Sequence, residues 1–173
     1  MTRWLALAPL AVLAALALLF SLYALKHDPK VQPRALVGKA LPDLVLPSLD
    51  DGRPITLRRL VTGESPVLVN VYASWCGPCA LEAPQLMRLK QKGAVLIGIA
   101  YKDAPENTQA FLARVGDPYA QRLMDRDGRA GIELGVTGVP ETYLVNAQGL
   151  ILAKYPAPLS EADVRSLLVQ LGR

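Results

Sequence analysis

Cys76 and Cys79 are the only cysteines in this chain, and both sit within Trp75-Cys76-Gly77-Pro78-Cys79. Two thiols at this spacing can close a small, easily broken disulfide, which is the chemistry of thiol–disulfide exchange. Competing uses of the pair are weak. A staple across a two-residue gap gains little loop-closure entropy. A zinc site needs about four ligands, whereas this chain adds only one histidine, the distant His27. No metal is expected.

The elements around the pair fit exchange. The apolar run Val67 to Ala73 predicts a strand buried on both faces, and Pro78 to Gln91 predicts a helix. Cys76 then falls at the helix N-terminus, where unpaired amides and the helix dipole stabilise a thiolate. Cys79 falls one turn further in, more shielded. Cys76 is expected to attack a substrate disulfide and Cys79 to resolve the mixed disulfide.

The rest of the chain reads as a framework for that site. Residues 44–57 predict a β-hairpin around the Asp51-Gly52 turn. Within the helix over 78–91, Leu81, Leu86 and Leu89 suggest the buried side, Pro84 a kink and Gly93 the stop. A strand over 94–100 follows. Pro105 opens a helix to Val115, with Ala110, Phe111 and Val115 inward and Gly116 as its stop. Then come a strand over 121–125, a short helix over 129–134, paired strands over 142–145 and 150–153, and a last helix through Leu171 capped by Ser160. This order predicts an α/β fold with a mixed sheet flanked by helices.

Leu5 to Leu25 carries no charge, and as a helix it would span roughly 30 Å, enough to cross a bilayer core. A cleaved signal peptide has a shorter apolar region and a small-x-small cleavage site, and the run ends instead at Leu22-Tyr23-Ala24-Leu25. The expected organisation is an N-terminal membrane anchor (1–25), a linker (26–40) carrying His27, and a globular domain (41–173). Arg3 precedes the span while Lys26, Lys30 and Arg34 follow it, a distribution that on charge alone would keep the domain in the cytoplasm. Long domains translocate largely regardless of such charges, and the thiol–disulfide chemistry calls for an exported domain, so export is expected against the charge distribution. A net charge of +4 without a basic, aromatic-interleaved block gives no support for nucleic-acid binding; Arg58-Arg59 reads as a solvated face.

The segment Val69-Asn70-Val71-Tyr72-Ala73-Ser74-Trp75-Cys76-Gly77-Pro78-Cys79 resembles the active-site segment of the thioredoxin superfamily. Gly135-Val136-Thr137-Gly138-Val139-Pro140-Glu141-Thr142 is similar to the fingerprint of one branch, the cytochrome c maturation thioredoxins called CcmG or DsbE. Tyr101-Lys102-Asp103, Gly116-Asp117-Pro118-Tyr119-Ala120 and Asp125-Arg126-Asp127-Gly128 extend the match over essentially the whole chain.

The resemblance implies a thioredoxin-like fold on a single transmembrane helix, with the catalytic domain in the periplasm and held to the inner membrane. It implies a cofactor-free reductase that keeps apocytochrome c haem-binding cysteines reduced, directly or through a CcmH-type thiol protein, and is recharged by a CcdA- or DsbD-type membrane donor. Neighbouring functions are a TlpA- or ResA-like reductase for another client, an apocytochrome-binding holdase whose disulfide is incidental, and a DsbA-like oxidant.

By the same resemblance Pro140 maps onto the family's cis-proline, which leaves the Val139 backbone free to pair with an extended peptide. Trp75, Gly77 and Pro78 complete the surface around the thiols. Glu82 and Glu141 match acidic positions near the active site, where a carboxylate could move protons or raise a thiol pKa. Asn70 departs from ordinary thioredoxins, which carry a titratable aspartate there. The Gly77-Pro78 dipeptide is associated with a reducing poise.

Overall fold

A computed structural model describes residues 2–24 and 36–173. They fall into two units, one N-terminal and one from Gln32 onward. In the first, helix α1 runs Thr2–Ala24, with side chains described for 9–22. Among the described residues no helix is long and apolar enough to cross a membrane. His27 and most of the expected linker lie outside the described residues. Residues 36–40 pack with the globular unit: the Gly38 amide donates to the Ile151 carbonyl at 2.8 Å, and Ala40 bridges Leu150.

The globular unit begins with the expected hairpin, β1 (Val45–Pro47) against β2 (Pro54–Thr56), with Gly52 at φ +71° in its turn. One element was not legible: Leu57 continues into helix α2 (Leu57–Val61) rather than the strand. Its buried Leu57 and Val61 are spaced i, i+4, but one helical turn is too short to set up a period.

The main sheet contains β3 (Val67–Tyr72), β4 (Leu96–Tyr101), β5 (Gln121–Asp125), β6 (Glu141–Val145) and β7 (Ile151–Tyr155), in the order β5-β4-β3-β6-β7. β3, β4 and β5 run parallel, and β6 and β7 return antiparallel. The helices are α3 (Gly77–Gln91), α4 (Pro105–Val115), α5 (Arg129–Glu133) and α6 (Glu161–Gln170).

Strand alternation divides the core in two. Leu68, Tyr72, Leu96, Ala100 and Leu144 pack with α3, α4 and α6 on one face. Val69, Val71, Ile97, Ile99 and Tyr143 pack with α2, α5 and the hairpin on the other. The fold is therefore a thioredoxin-like α/β sandwich on a mixed sheet.

Two side chains point opposite to expectation. Leu81 is 77% exposed, and the buried stripe of α3 is Cys79, Glu82, Ala83, Leu86 and Leu89. Ala110 is exposed, and α4 buries Thr108, Phe111 and Leu112. Leu86, Leu89 and Phe111 are buried as expected; the stripes also contain Cys79, Glu82 and Thr108, which an apolar pattern passes over in favour of Leu81 and Ala110. α3 continues as one helix through Pro84. Ser160 and Asp163 close a complete capping box on α6.

Candidate active site

β3, the central strand, delivers the chain to the C-terminal end of the parallel strands, and α3 begins there with Cys76 as its N-cap. Cys76 and Cys79 form a disulfide with a Cα–Cα separation of 5.3 Å. The Cys79 amide donates to Cys76 Sγ at 3.1 Å, so the helix N-terminus is aimed at the sulfur that would carry charge. Exposure barely separates the two, at 5% and 3%. Their neighbours do. Cys76 adjoins Trp75, Gly77 and Pro78, all exposed, and its Sγ lies 3.4 Å from the Val139 carbonyl oxygen. Cys79 lines a small cavity of about 10 Å³ shared with Asn70, Tyr72, Glu82 and Tyr119, room for roughly one water.

The loop after β4 fixes the approach to Cys76. Asp103 accepts from the Ser74 amide at 2.6 Å and its hydroxyl at 2.8 Å. The Trp75 indole N–H donates to the Lys102 carbonyl at 3.2 Å, with Lys102 held at φ +48°. The Tyr101-Lys102-Asp103 match thus corresponds to a brace behind the motif. Sequence reasoning had not assigned Asp103 a role.

Beneath Cys79 lies Glu82, 1% exposed. Its Oε1 accepts from the Leu159 amide at 3.0 Å, and Oε2 from Asn70 Nδ2 at a long 3.4 Å. It forms no ion pair among the described residues. Burial pushes its carboxyl up to about 7, against a smaller lowering by those two hydrogen bonds. Asn70 Nδ2 also donates to Thr142 Oγ1 at 2.9 Å, and the Tyr119 hydroxyl donates to Asn70 Oδ1 at 2.6 Å. Tyr119 can lie there because β4 carries Gly98 beneath it: a Cβ at 98 would meet the tyrosine ring at 2.7 Å. Burial raises the Tyr119 phenol far above its ordinary value, so it remains a donor.

On the other side, Val139-Pro140 is cis, as the resemblance implied. Glu141 begins β6 and is fully buried. Its Oε1 accepts from the Thr137 amide at 2.9 Å and the Thr137 hydroxyl at 2.8 Å. Oε2 lies 2.8 Å from the Tyr143 hydroxyl and 3.0 Å from Lys154 Nζ. Lys154, from β7, has a wholly buried side chain and also donates to the Gly135 carbonyl at 2.8 Å. It was not singled out in the sequence.

The structure thus brings Trp75, Cys76, Gly77, Pro78 and Val139 to one surface, with Cys79 and Glu82 behind them and Glu141 in the support of the proline loop. No group of three or more metal-ligating side chains occurs among the described residues. A groove of about 600 Å³ between residues 42–47 and 124–133 includes neither cysteine. The disulfide lies at the surface formed by Trp75, Gly77 and Pro78 and is itself nearly buried.

A redox-active cysteine pair capping a helix on this sheet defines a thioredoxin-like thiol–disulfide oxidoreductase, and similarity to known proteins narrows the class. Residues 36–170 match the Redoxin family. The chain is 42% identical to the thiol:disulfide interchange protein HelX of Rhodobacter capsulatus, over 79% of this chain and 77% of that protein. It is 43% identical to DsbE of Allochromatium vinosum (89% and 84% covered) and 37% identical to DsbE of Escherichia coli (87% and 82%). A crystal structure from Chlorobium tepidum, described as a DsbE-type thiol:disulfide interchange protein, aligns with a TM-score of 0.64 at 27% identity, over 78% of this chain and 94% of that one. The chain belongs to the DsbE/HelX family of thiol:disulfide interchange proteins.

Proposed function

We propose that this oxidoreductase acts as a reductant in cytochrome c maturation, tethered to the inner membrane by the uncharged span Leu5–Leu25 and facing the periplasm. One observation carries the reading. The segment Gly135–Thr142, which resembles the fingerprint of the cytochrome c branch, lies against the disulfide, with the Val139 carbonyl 3.4 Å from Cys76 Sγ. Within it, Thr137, Gly138 and Val139 are the residues a bound client would meet, and Pro140, Glu141 and Thr142 lie buried beneath them.

In the reduced protein the Cys76 thiolate attacks one sulfur of a client disulfide. The client S–S bond breaks, its other sulfur leaves as a thiolate that takes up a proton, and Cys76 is joined to the client. Cys79 then loses its proton and attacks Cys76 Sγ. The Cys76–Cys79 bond forms and the second client sulfur leaves, so two electrons pass from the protein to the client. Glu82 takes the Cys79 proton: it shares the cavity behind that sulfur, and a carboxyl with a pKa of about 7 can both accept and return a proton near neutrality. Asn70, held by Tyr119 and Thr142, fixes the carboxyl without titrating. Trp75, Gly77, Pro78 and Val139 form the client contact, with Pro140 shaping the loop. The client is apocytochrome c or a CcmH-type thiol protein, and a CcdA- or DsbD-type membrane dithiol restores the reduced state.

The test is a Cys79→Ser variant expressed in cells assembling cytochrome c. It is expected to accumulate a mixed disulfide through Cys76 with apocytochrome c or a CcmH-type protein. A different trapped partner points to a TlpA- or ResA-like role. Normal cytochrome c assembly in a Cys76→Ser/Cys79→Ser strain without added thiol contradicts the reductase reading and favours the holdase.

A further inference from the structure

The segment 135–139 has no strand or helix of its own. The Gly135 and Val136 amides are tied back to α5 by bonds to the Ile132 and Gly131 carbonyls at 3.0 and 2.8 Å. Beyond that point, among the described residues, the Gly138 and Val139 amides have no backbone partner. The Thr137 amide is satisfied by a side chain, the Glu141 carboxylate. An unpaired amide beside the disulfide is what an incoming extended chain requires. The position of that amide depends on what holds Thr137.

That holder is a buried ion pair. Glu141 has four donors around its two oxygens: the Thr137 amide and hydroxyl, Lys154 Nζ, and the Tyr143 hydroxyl, which also lies 3.0 Å from the Leu134 carbonyl. Lys154 spends a second donor on the Gly135 carbonyl. One cation therefore holds the start of the segment directly and its middle through Glu141. Register explains how: Lys154 on β7 lies opposite Tyr143 on β6. An ammonium with no exposed surface is rarely kept for stability alone, because burying two charges consumes much of what their attraction returns.

We propose that Lys154 is a positioning residue. Acting through Glu141, it fixes the 135–139 segment so that the Val139 backbone can receive an extended polypeptide, and it thereby sets affinity for polypeptide disulfides rather than the intrinsic reactivity of Cys76–Cys79. The inference rests on the reductase reading, but not on which client is reduced.

The test compares three disulfides reduced by full-length protein: bis(2-hydroxyethyl) disulfide, insulin, and an oxidised Cys-Ala-Ala-Cys-His peptide. Lys154→Met alone strands a buried carboxylate and can unfold the domain. The informative variant is therefore Glu141→Met/Lys154→Met, which removes both charges and keeps similar volume. In that variant the ratio of kcat/KM for insulin and for the peptide to that for the small disulfide is expected to fall at least tenfold, mainly through KM. Amide exchange at Thr137 should quicken by a similar factor. An unchanged ratio in a folded double variant overturns the proposal, as does a fall confined to kcat. The client question reads out separately: wild type reducing the peptide no better than insulin weakens the cytochrome c assignment and leaves the Lys154 comparison intact.

Discussion

Two buried glutamates flank the disulfide, and their surroundings could hardly differ more. Glu141 has four donors on two oxygens and a lysine at 3.0 Å. An ionised carboxylate offers about four acceptor sites, and these contacts occupy them. Glu82 has two donors, one of them at 3.4 Å, and no cation among the described residues. Burial then favours its neutral form and lifts its pKa to about 7. The same residue type, equally buried, is bound into an ion pair on one side and left with few partners beside Cys79 on the other. The difference lies in the partners.

The largest effect should come from breaking the anchored side. Lys154→Met leaves Glu141 charged and unpaired, and should cost about 3–5 kcal/mol in urea unfolding. The Glu141→Met/Lys154→Met pair should recover most of that loss. A single variant as stable as wild type would mean that Glu141 does not depend on Lys154, and the contrast with Glu82 would collapse.

The other glutamate should show itself through pH. Its folded pKa, about 7, lies above the unfolded value near 4.5. Between those values the folded state binds more protons, so stability falls as pH rises. Below about 4.5 the contribution is fully present, and above 7 it is gone. Relative to Glu82→Gln, oxidised wild type should lose roughly 3 kcal/mol across that window. Parallel curves for the two proteins would place the pKa shift elsewhere.

Smaller effects sharpen the surroundings. Asp103→Ala removes the acceptor for Ser74 and should cost about 1–3 kcal/mol. It should also slow client reduction, because the loop bearing Trp75 and Cys76 loses its brace. Tyr119→Phe strands Asn70 Oδ1 and should cost about 1 kcal/mol or somewhat more. Loosening the Asn70 amide should also move the Glu82 pKa, detectable by carboxyl NMR. An unmoved pKa would show that Asn70 does not need Tyr119 to hold its orientation.

Much of this was legible in the chain. A strand, a cysteine at the helix start and a second cysteine one turn later follow from local pattern, and the resemblance located the cis-proline. Glu82 could be placed near Cys79 by spacing alone. Its environment could not: Leu159 and Asn70 arrive from 77 and 12 residues away. On α3 the leucine pattern locates Leu86 and Leu89 but not the first turns, where Cys79, Glu82 and Ala83 are buried and Leu81 faces solvent. Lys154 was invisible for a related reason. A lone lysine near a strand end normally reads as solvated, and only its pairing opposite Tyr143 turns it toward Glu141.

The central claim is that Glu82, and not Glu141, receives the proton that Cys79 loses. The direct measurement is the rate at which a Cys76–peptide mixed disulfide resolves as a function of pH, in wild type, Glu82→Gln and Glu141→Gln. Wild type and Glu141→Gln should both show a rise through pH 7. Glu82→Gln should lack it, gaining rate only as pH approaches about 8.5, where an unassisted thiol ionises. A rise through pH 7 that survives in Glu82→Gln, or disappears in Glu141→Gln instead, would contradict the account.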